Sequence, residues 1–162
     1  MQVKLDIWDT AGLEMLMETL VMYYSGAAGV LLVYDVSQRD KFNEMAFRLR
    51  HVRQHTAAMM PILLVGNKID LQPFERVGAR TMAREVSTEE GAAFVKEHNL
   101  LFVETSARAA ANVEQAFFDI AQCSTAVSLS IGMHQIEVKK TRTQSAGAGR
   151  EQLRAGELRR CG

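Results

Sequence analysis

Apolar and polar positions divide the first 123 residues into segments of two periods. Val3, Leu5 and Ile7 alternate with Lys4, Asp6 and Trp8, which predicts a strand over residues 2–8 with one wetter face. Leu13 to Tyr24 is rich in methionine (Met15, Met17, Met22) and predicts an irregular helix, punctuated by Gly26-Ala27-Ala28-Gly29. Val30 to Asp35 is a continuous apolar run, the mark of a strand buried on both faces. From Asp40 to Thr56 the apolar residues Phe42, Met45, Leu49 and Val52 fall on one helical stripe, with Arg48, Arg50 and Arg53 off it. Asp40 is the expected N-cap. Pro61 to Gly66 reads as a second buried strand, with proline tolerated at its first residue. Residues 67–86 read as an unusually long loop. Ser87 with Glu90 three residues later fits a capping box, and Phe94 and Val95 give the following helix an apolar side. Leu100 to Glu104 is a third buried strand, and Ala110 to Cys123 a final helix. After about Ser124 the pattern fades. This gives a domain over 1–123 and a mostly disordered tail over 124–162, its disorder clearest from Met133 onward.

Strands alternating with helices predict an α/β fold, a parallel sheet with helices on both faces. Three well-paired parallel strands are the firm part of that expectation. In such sheets ligands bind beyond the carboxyl ends of the strands, so the informative residues should follow each apolar run. Composition changes little: 48% hydrophobic and 23% charged residues are ordinary for a globular chain. A formal net charge of +0 gives no global attraction to nucleic acid. From Glu137 onward, seven Lys/Arg face three Asp/Glu, so that end is net basic and the rest net acidic. Cys123 and Cys161 are too few for a disulfide framework, and Cys123 reads as an inert helix residue in a reducing compartment. No apolar run approaches the roughly 18 residues of a membrane span, and no signal peptide opens the sequence.

Three motifs follow three predicted strands. After the first comes Asp9-x-x-Gly12, in which a strand-end carboxylate can hold Mg²⁺ through water and a glycine N–H can approach a terminal phosphate. After the second buried run comes Asn67-Lys68-Ile69-Asp70. An Asp carboxylate can accept from the N1–H and 2-amino group of guanine, where adenine has no donor. Rejecting adenine then leaves a desolvated, unpaired acceptor, which is how a polar site discriminates strongly. Asn67 can bond the ring edge, and the Lys68 stem can lie over the base plane. After the third buried run comes Thr105-Ser106-Ala107-Arg108, where a small residue lets a backbone N–H reach guanine O6. His51 and His55 have an i,i+4 metal spacing but no evident third ligand, and read as a solvated helix face.

Together with Tyr23-Tyr24-Ser25-Gly26-Ala27 and Leu31-Leu32-Val33-Tyr34-Asp35-Val36, these runs make residues 1 to about 123 resemble a Ras-superfamily small GTPase, in detail its Rab branch. The resemblance implies GTP or GDP and Mg²⁺ as cofactors, Asp9 as the Mg²⁺-associated carboxylate and Gly12 as the γ-phosphate sensor. It implies Asn67, Lys68 and Asp70 reading guanine, with Ser106, Ala107 and Arg108 at the same pocket. Two departures qualify it. No G-x-x-x-x-G-K-[ST] phosphate loop occurs in the sequence, and the first switch, first two strands and first helix of the fold have no counterpart. Leu13 stands where the family has the Gln that orients the attacking water, so no catalytic residue is assigned and slow hydrolysis is expected.

With its neighbouring strands missing, residues 2–8 are expected either to slide beside Val30–Asp35 or to stay apart and be marginal. The resemblance implies a switch in vesicle trafficking, with effectors, exchange factors and activating proteins contacting the second-switch region. It places the chain in the cytoplasm or on the cytosolic face of an intracellular membrane. Cys161, flanked by Arg159 and Arg160, is a candidate lipidation site that would give the tail peripheral membrane contact. The competing reading is a non-catalytic interaction module that binds partners without nucleotide.

Overall fold

The computed structural model describes residues 4–10, 17–24, 26–71, 75–77 and 80–130. Its elements run α1 (Met17–Tyr24), β1 (Val30–Asp35), α2 (Arg39–Asn43), α3 (Met45–His55), β2 (Ile62–Asn67), β3 (Glu75–Val77), β4 (Arg80–Met82), α4 (Thr88–His98), β5 (Leu101–Glu104) and α5 (Val113–Ser130). Three strands form a parallel sheet in the order β1-β2-β5, and β3 with β4 forms a separate antiparallel pair. The fold is α/β, a parallel sheet flanked by helices, as the alternation of periods requires.

The core is built on β2. Ile62 through Val65 are all buried because the strand has a neighbour on each side and helices over both faces. Ile62 and Leu64 face a cluster with Leu32, Tyr34, Met45, Leu49, Val52 and Val86. Leu63 and Val65 face the opposite way, onto Ala116 and Ile120 of α5. Burying each such Leu, Ile or Val contributes about 1.5–3 kcal/mol. The predicted helical stripe therefore faces inward: Met45, Leu49 and Val52 are buried on α3, and Phe42 packs against them.

Tyr34 is 2% exposed, and its hydroxyl is covered with no hydrogen-bond partner among the described groups. Burial, and then the charge of Glu104, push its pKa up to about 12. Two glycines make room for the ring. A Cβ on Gly66 would lie 2.9 Å from the Tyr34 hydroxyl, and one on Gly91 would lie 2.5 Å from Phe102 Cζ and 2.9 Å from the same hydroxyl. Glycine in the first turn of α4 thus gives up helix propensity for close packing against the sheet.

Several boundaries differ from the sequence reading. The predicted helix over 40–56 is interrupted at Glu44, and its N-cap is Gln38 rather than Asp40, which lies in the first turn. The long loop contains the β3–β4 hairpin. The capping box is present: the Ser87 hydroxyl accepts from the Glu90 N–H, and the Glu90 carboxylate accepts from the Ser87 N–H. The last helix continues to Ser130 rather than ending at Cys123. Its polar residues do not break it, because the Ser124 and Thr125 hydroxyls donate to the carbonyls of Ile120 and Ala121, four residues back. Cys123 is buried on this helix. No helix among the described residues is long and apolar enough to cross a membrane.

Of the strand expected over residues 2–8, the described part is not formed: residues 4–10 carry no regular structure. Alternating hydrophobicity gives a segment two faces, but a strand gets its backbone hydrogen bonds only from a neighbour. Among the described residues, β1 pairs with β2 alone, and residues 4–10 join no ladder. Of the two outcomes expected, the segment stays apart.

Two measurements test these packing claims. Amide exchange should be about a hundredfold or more faster at residues 5–9 than at residues 31–34, and equal protection would contradict the unpaired segment. Gly91→Ala should destabilise the chain by about 1–3 kcal/mol in urea unfolding, despite alanine's helix propensity, because Phe102 and Tyr34 must move.

Candidate functional site

The parallel register sets the site. Asp35 and Asn67 are aligned at the carboxyl ends of β1 and β2, and Gly66 is aligned with Glu104 of β5. Beyond these ends the chain must turn, and Lys68 does so at φ 72°, a left-handed conformation that costs a non-glycine residue about 1–2 kcal/mol. Backbone bonds fix the two loops to each other. The Ile69 N–H donates to the Thr105 carbonyl at 3.2 Å, and the Thr105 N–H donates to the Gly66 carbonyl at 2.8 Å.

Asn67 and Asp70 are both held from the second loop. The Asn67 side-chain carbonyl accepts from the Ala107 N–H at 3.2 Å and from the Thr105 hydroxyl at 3.3 Å. With its oxygen committed to these donors, its amide nitrogen is the end left to donate. Ser106 is fully buried, and its hydroxyl donates to Asp70 Oδ1 at 2.6 Å while accepting from the Ala109 N–H at 2.9 Å. Its own N–H and carbonyl pair with Ala111 at 3.0 Å each. Every polar group of Ser106 is therefore used, and Asp70 is anchored by one oxygen. Its other oxygen lies 3.9 Å from Arg108 Nη1, on an exposed side chain. The loop then closes through Ala110 and Asn112, both at positive φ, with the Asn112 amide donating to the Glu104 carbonyl at 2.8 Å.

The structure thus brings Asn67, Asp70, Ser106, Ala107 and Arg108 together. It does not place Lys68 as the sequence suggests. The Lys68 ammonium sits 2.5 Å from Asp35 Oδ2. Asp35 Oδ1 accepts from the Ser37 N–H at 2.9 Å and from its hydroxyl at 2.6 Å. Burial by itself would raise the Asp35 pKa, but the hydrogen bonds from Lys68 and Ser37 outweigh it and hold the carboxyl below its ordinary value of 3.8. Sequence reading passed over Asp35 because it closes an apolar run. The available signal was its place at the strand end level with Asn67, which becomes visible only once the register is known.

Asp9 lies exposed on the irregular segment 4–10, not at a strand end. Gly12, Leu13 and Cys161 lie outside the described residues. His51 and His55 stack with ring centroids 4.5 Å apart, and His55 Nδ1 bonds the His51 carbonyl at 2.8 Å. Burial, and secondarily the neighbouring His55, lower the His51 pKa. Tyr24 of α1 packs edge-on against the His51 ring, so this face of α3 is partly covered by α1.

A fixed carboxylate and a fixed amide at the ends of parallel strands can accept from and donate to the edge of a purine. The sequence model of the Ras family matches residues 1–126 of the chain. The chain belongs to the Ras family. It is accordingly a member of the small GTPases, guanine-nucleotide switches that work through regulators and effectors. Toward the base of a nucleotide, the residues of this family member offer the second carboxylate oxygen of Asp70 and the amide nitrogen of Asn67. Asp9, the residue the resemblance gives to Mg²⁺, is exposed and at no strand end.

The Lys68–Asp35 pair has a pH signature. Because the folded carboxyl titrates below its unfolded value, the pair's stabilisation is complete above that unfolded value. It is lost as pH falls through the folded one. In a carboxyl-carbon NMR titration the Asp35 midpoint should lie below 3.8, and Lys68→Met should move it upward as burial takes over. An unmoved midpoint would show that the pair does not form in solution.

Proposed function

We propose that this chain is a Rab-like small GTPase whose base pocket binds guanine and whose hydrolysis of GTP is slow. The observation that carries the first half is the anchoring of Asp70 and Asn67 by the protein's own groups. Asp70 is held by Ser106 at 2.6 Å and Asn67 by the Ala107 N–H at 3.2 Å. Groups already fixed by packing and hydrogen bonds lose little freedom when a ligand arrives. Asp70 is the discriminating residue, since adenine would leave its second oxygen desolvated and unpaired.

Leu13 supports the second half, because it stands where the family has the Gln that orients the attacking water and has no donor or acceptor with which to do so. The Rab-type runs at Tyr23–Ala27, Leu31–Val36 and Gly66–Leu71 favour a role on trafficking membranes. A second reading is favoured by a different observation. Trp8 and Met22 are 60% and 74% exposed, and Trp8 packs edge-on against Tyr23. An aromatic and methionine surface of this kind suits a protein partner, so the chain would act as a nucleotide-independent interaction module.

Calorimetric titration of the whole chain separates the two. Guanosine should bind about a hundredfold more tightly than adenosine, Asp70→Ala should abolish that preference, and in a hydrolysis assay Leu13→Gln should be faster than the unaltered chain. Equal binding of guanosine and adenosine would remove the guanine reading. GTP hydrolysis as fast in the unaltered chain as in Leu13→Gln would remove the claim of slow hydrolysis.

A further inference from the structure

The two histidines of α3 stand one turn apart and touch. Their ring centroids are 4.5 Å apart, and His55 Nδ1 bonds the His51 carbonyl at 2.8 Å. That bond puts the His55 proton on Nδ1 and leaves Nε2 as its basic atom. His51 is placed differently. Its Nδ1 is covered and has no hydrogen-bond partner among the described groups. Its ring packs edge-on against Tyr24, the last residue of α1, with centroids 5.9 Å apart. Tyr24 in turn packs against the apolar cluster that holds Leu49 and Val52. An eight-residue helix such as α1 is too short to be stable alone, so its form depends on what it docks against.

The charges around the pair are mostly positive. Within a turn of His51 on α3 stand Arg48, Arg50 and Arg53. Arg48 is bonded to Glu44 at 3.0 Å, and Arg53 donates to the His98 carbonyl at the end of α4. From α1 the ionisable group that meets His51 is the Tyr24 phenol. Burial raises its pKa, against the opposing charge of Arg48, so it is neutral near pH 7. Among the described residues no carboxylate pairs with either histidine. A charged His51 carries an N–H on both nitrogens, and at Nδ1 that donor would be covered with no acceptor.

We infer that His51 and His55 form a proton-sensitive latch, which holds the last turn of α1 on α3 while both rings are neutral and lets it go when they become charged. The charged His51 ring regains water where its contact with Tyr24 opens. Burial, and then the neighbouring His55, keep the His51 pKa below its ordinary value of 6.5. With the folded value below the unfolded one, the latch is complete above the unfolded value and is lost as pH falls through the folded one. The surface that changes is the one carrying the exposed Met22 and Tyr23, on which Trp8 packs. The latch stands apart from the guanine reading and needs no nucleotide.

NMR of the whole chain from about pH 7.5 down to about pH 5, the range in which histidine titrates, tests this. The cross-peak between the Tyr24 and His51 rings should be present at the upper pH and absent at the lower. Amide protection at residues 22–24, taken relative to residues 49–52 and corrected for intrinsic exchange, should fall about three- to tenfold over the same range. His51→Phe keeps a neutral ring against Tyr24 and should hold the protection at both ends. His51→Gln is the second variant should the phenylalanine fail to fold, and its protection should not change with pH. His55→Gln should move the His51 midpoint upward, because the like charge is gone. Constant protection at residues 22–24 while His51 titrates overturns the latch. So does a fall that persists in His51→Phe or His51→Gln.

Discussion

The parallel pairing of β2 with β1 on one side and β5 on the other is the constraint on which this molecule depends. A strand with two neighbours has all its backbone groups satisfied, and helices over both faces let every side chain from Ile62 to Val65 be buried. The same pairing fixes register. Register in turn sets Asp35 beside Asn67 and puts Glu104 level with Gly66, so that the loops leaving the three strands meet. The apolar strands and the polar site are thus two consequences of one ladder. A slip of one residue would turn Leu63 and Leu64 to the wrong cores and separate Asn67 from Ala107.

The polar loops are held with comparable economy. Ser106 has no exposed surface, yet it satisfies both Asp70 and the Ala109 N–H while its backbone pairs with Ala111. An unpaired buried hydroxyl or carboxylate would cost about 1–3 kcal/mol, so this closed network favours a single arrangement of the pocket. Tyr34 is the contrast. Its hydroxyl is buried without a described partner, and two glycines are given over to fitting its ring. The ring's apolar burial against Phe42 and the sheet outweighs the unsatisfied group.

The two ends of the described chain behave differently because they have different access to partners. Residues 4–10 carry a strand's alternation but join no ladder. Residues 124–130, which read as the start of a tail, remain helical. An α-helix satisfies its own backbone, and Ser124 and Thr125 turn their hydroxyls back onto it. Local pattern suffices for an element that is self-contained. It does not suffice for one that must find a neighbour.

What the sequence by itself determined follows from that distinction. The three apolar runs, the stripe of Met45, Leu49 and Val52, the capping box at Ser87 and Glu90, and the two polar motifs at Asn67–Asp70 and Ser106–Ala107 that lie together at the strand ends were all legible. Each is a pattern of residues close along the chain, with a physical reason to be there. The interruption at Glu44 and the β3–β4 hairpin were not legible, because ladder geometry and turn pairing leave little mark on hydrophobic periodicity. Only tertiary structure decided that Lys68 lies on Asp35 rather than over a base plane. Two residues 33 positions apart in sequence become neighbours through β1–β2 pairing, and the ion pair they form appears in no local motif.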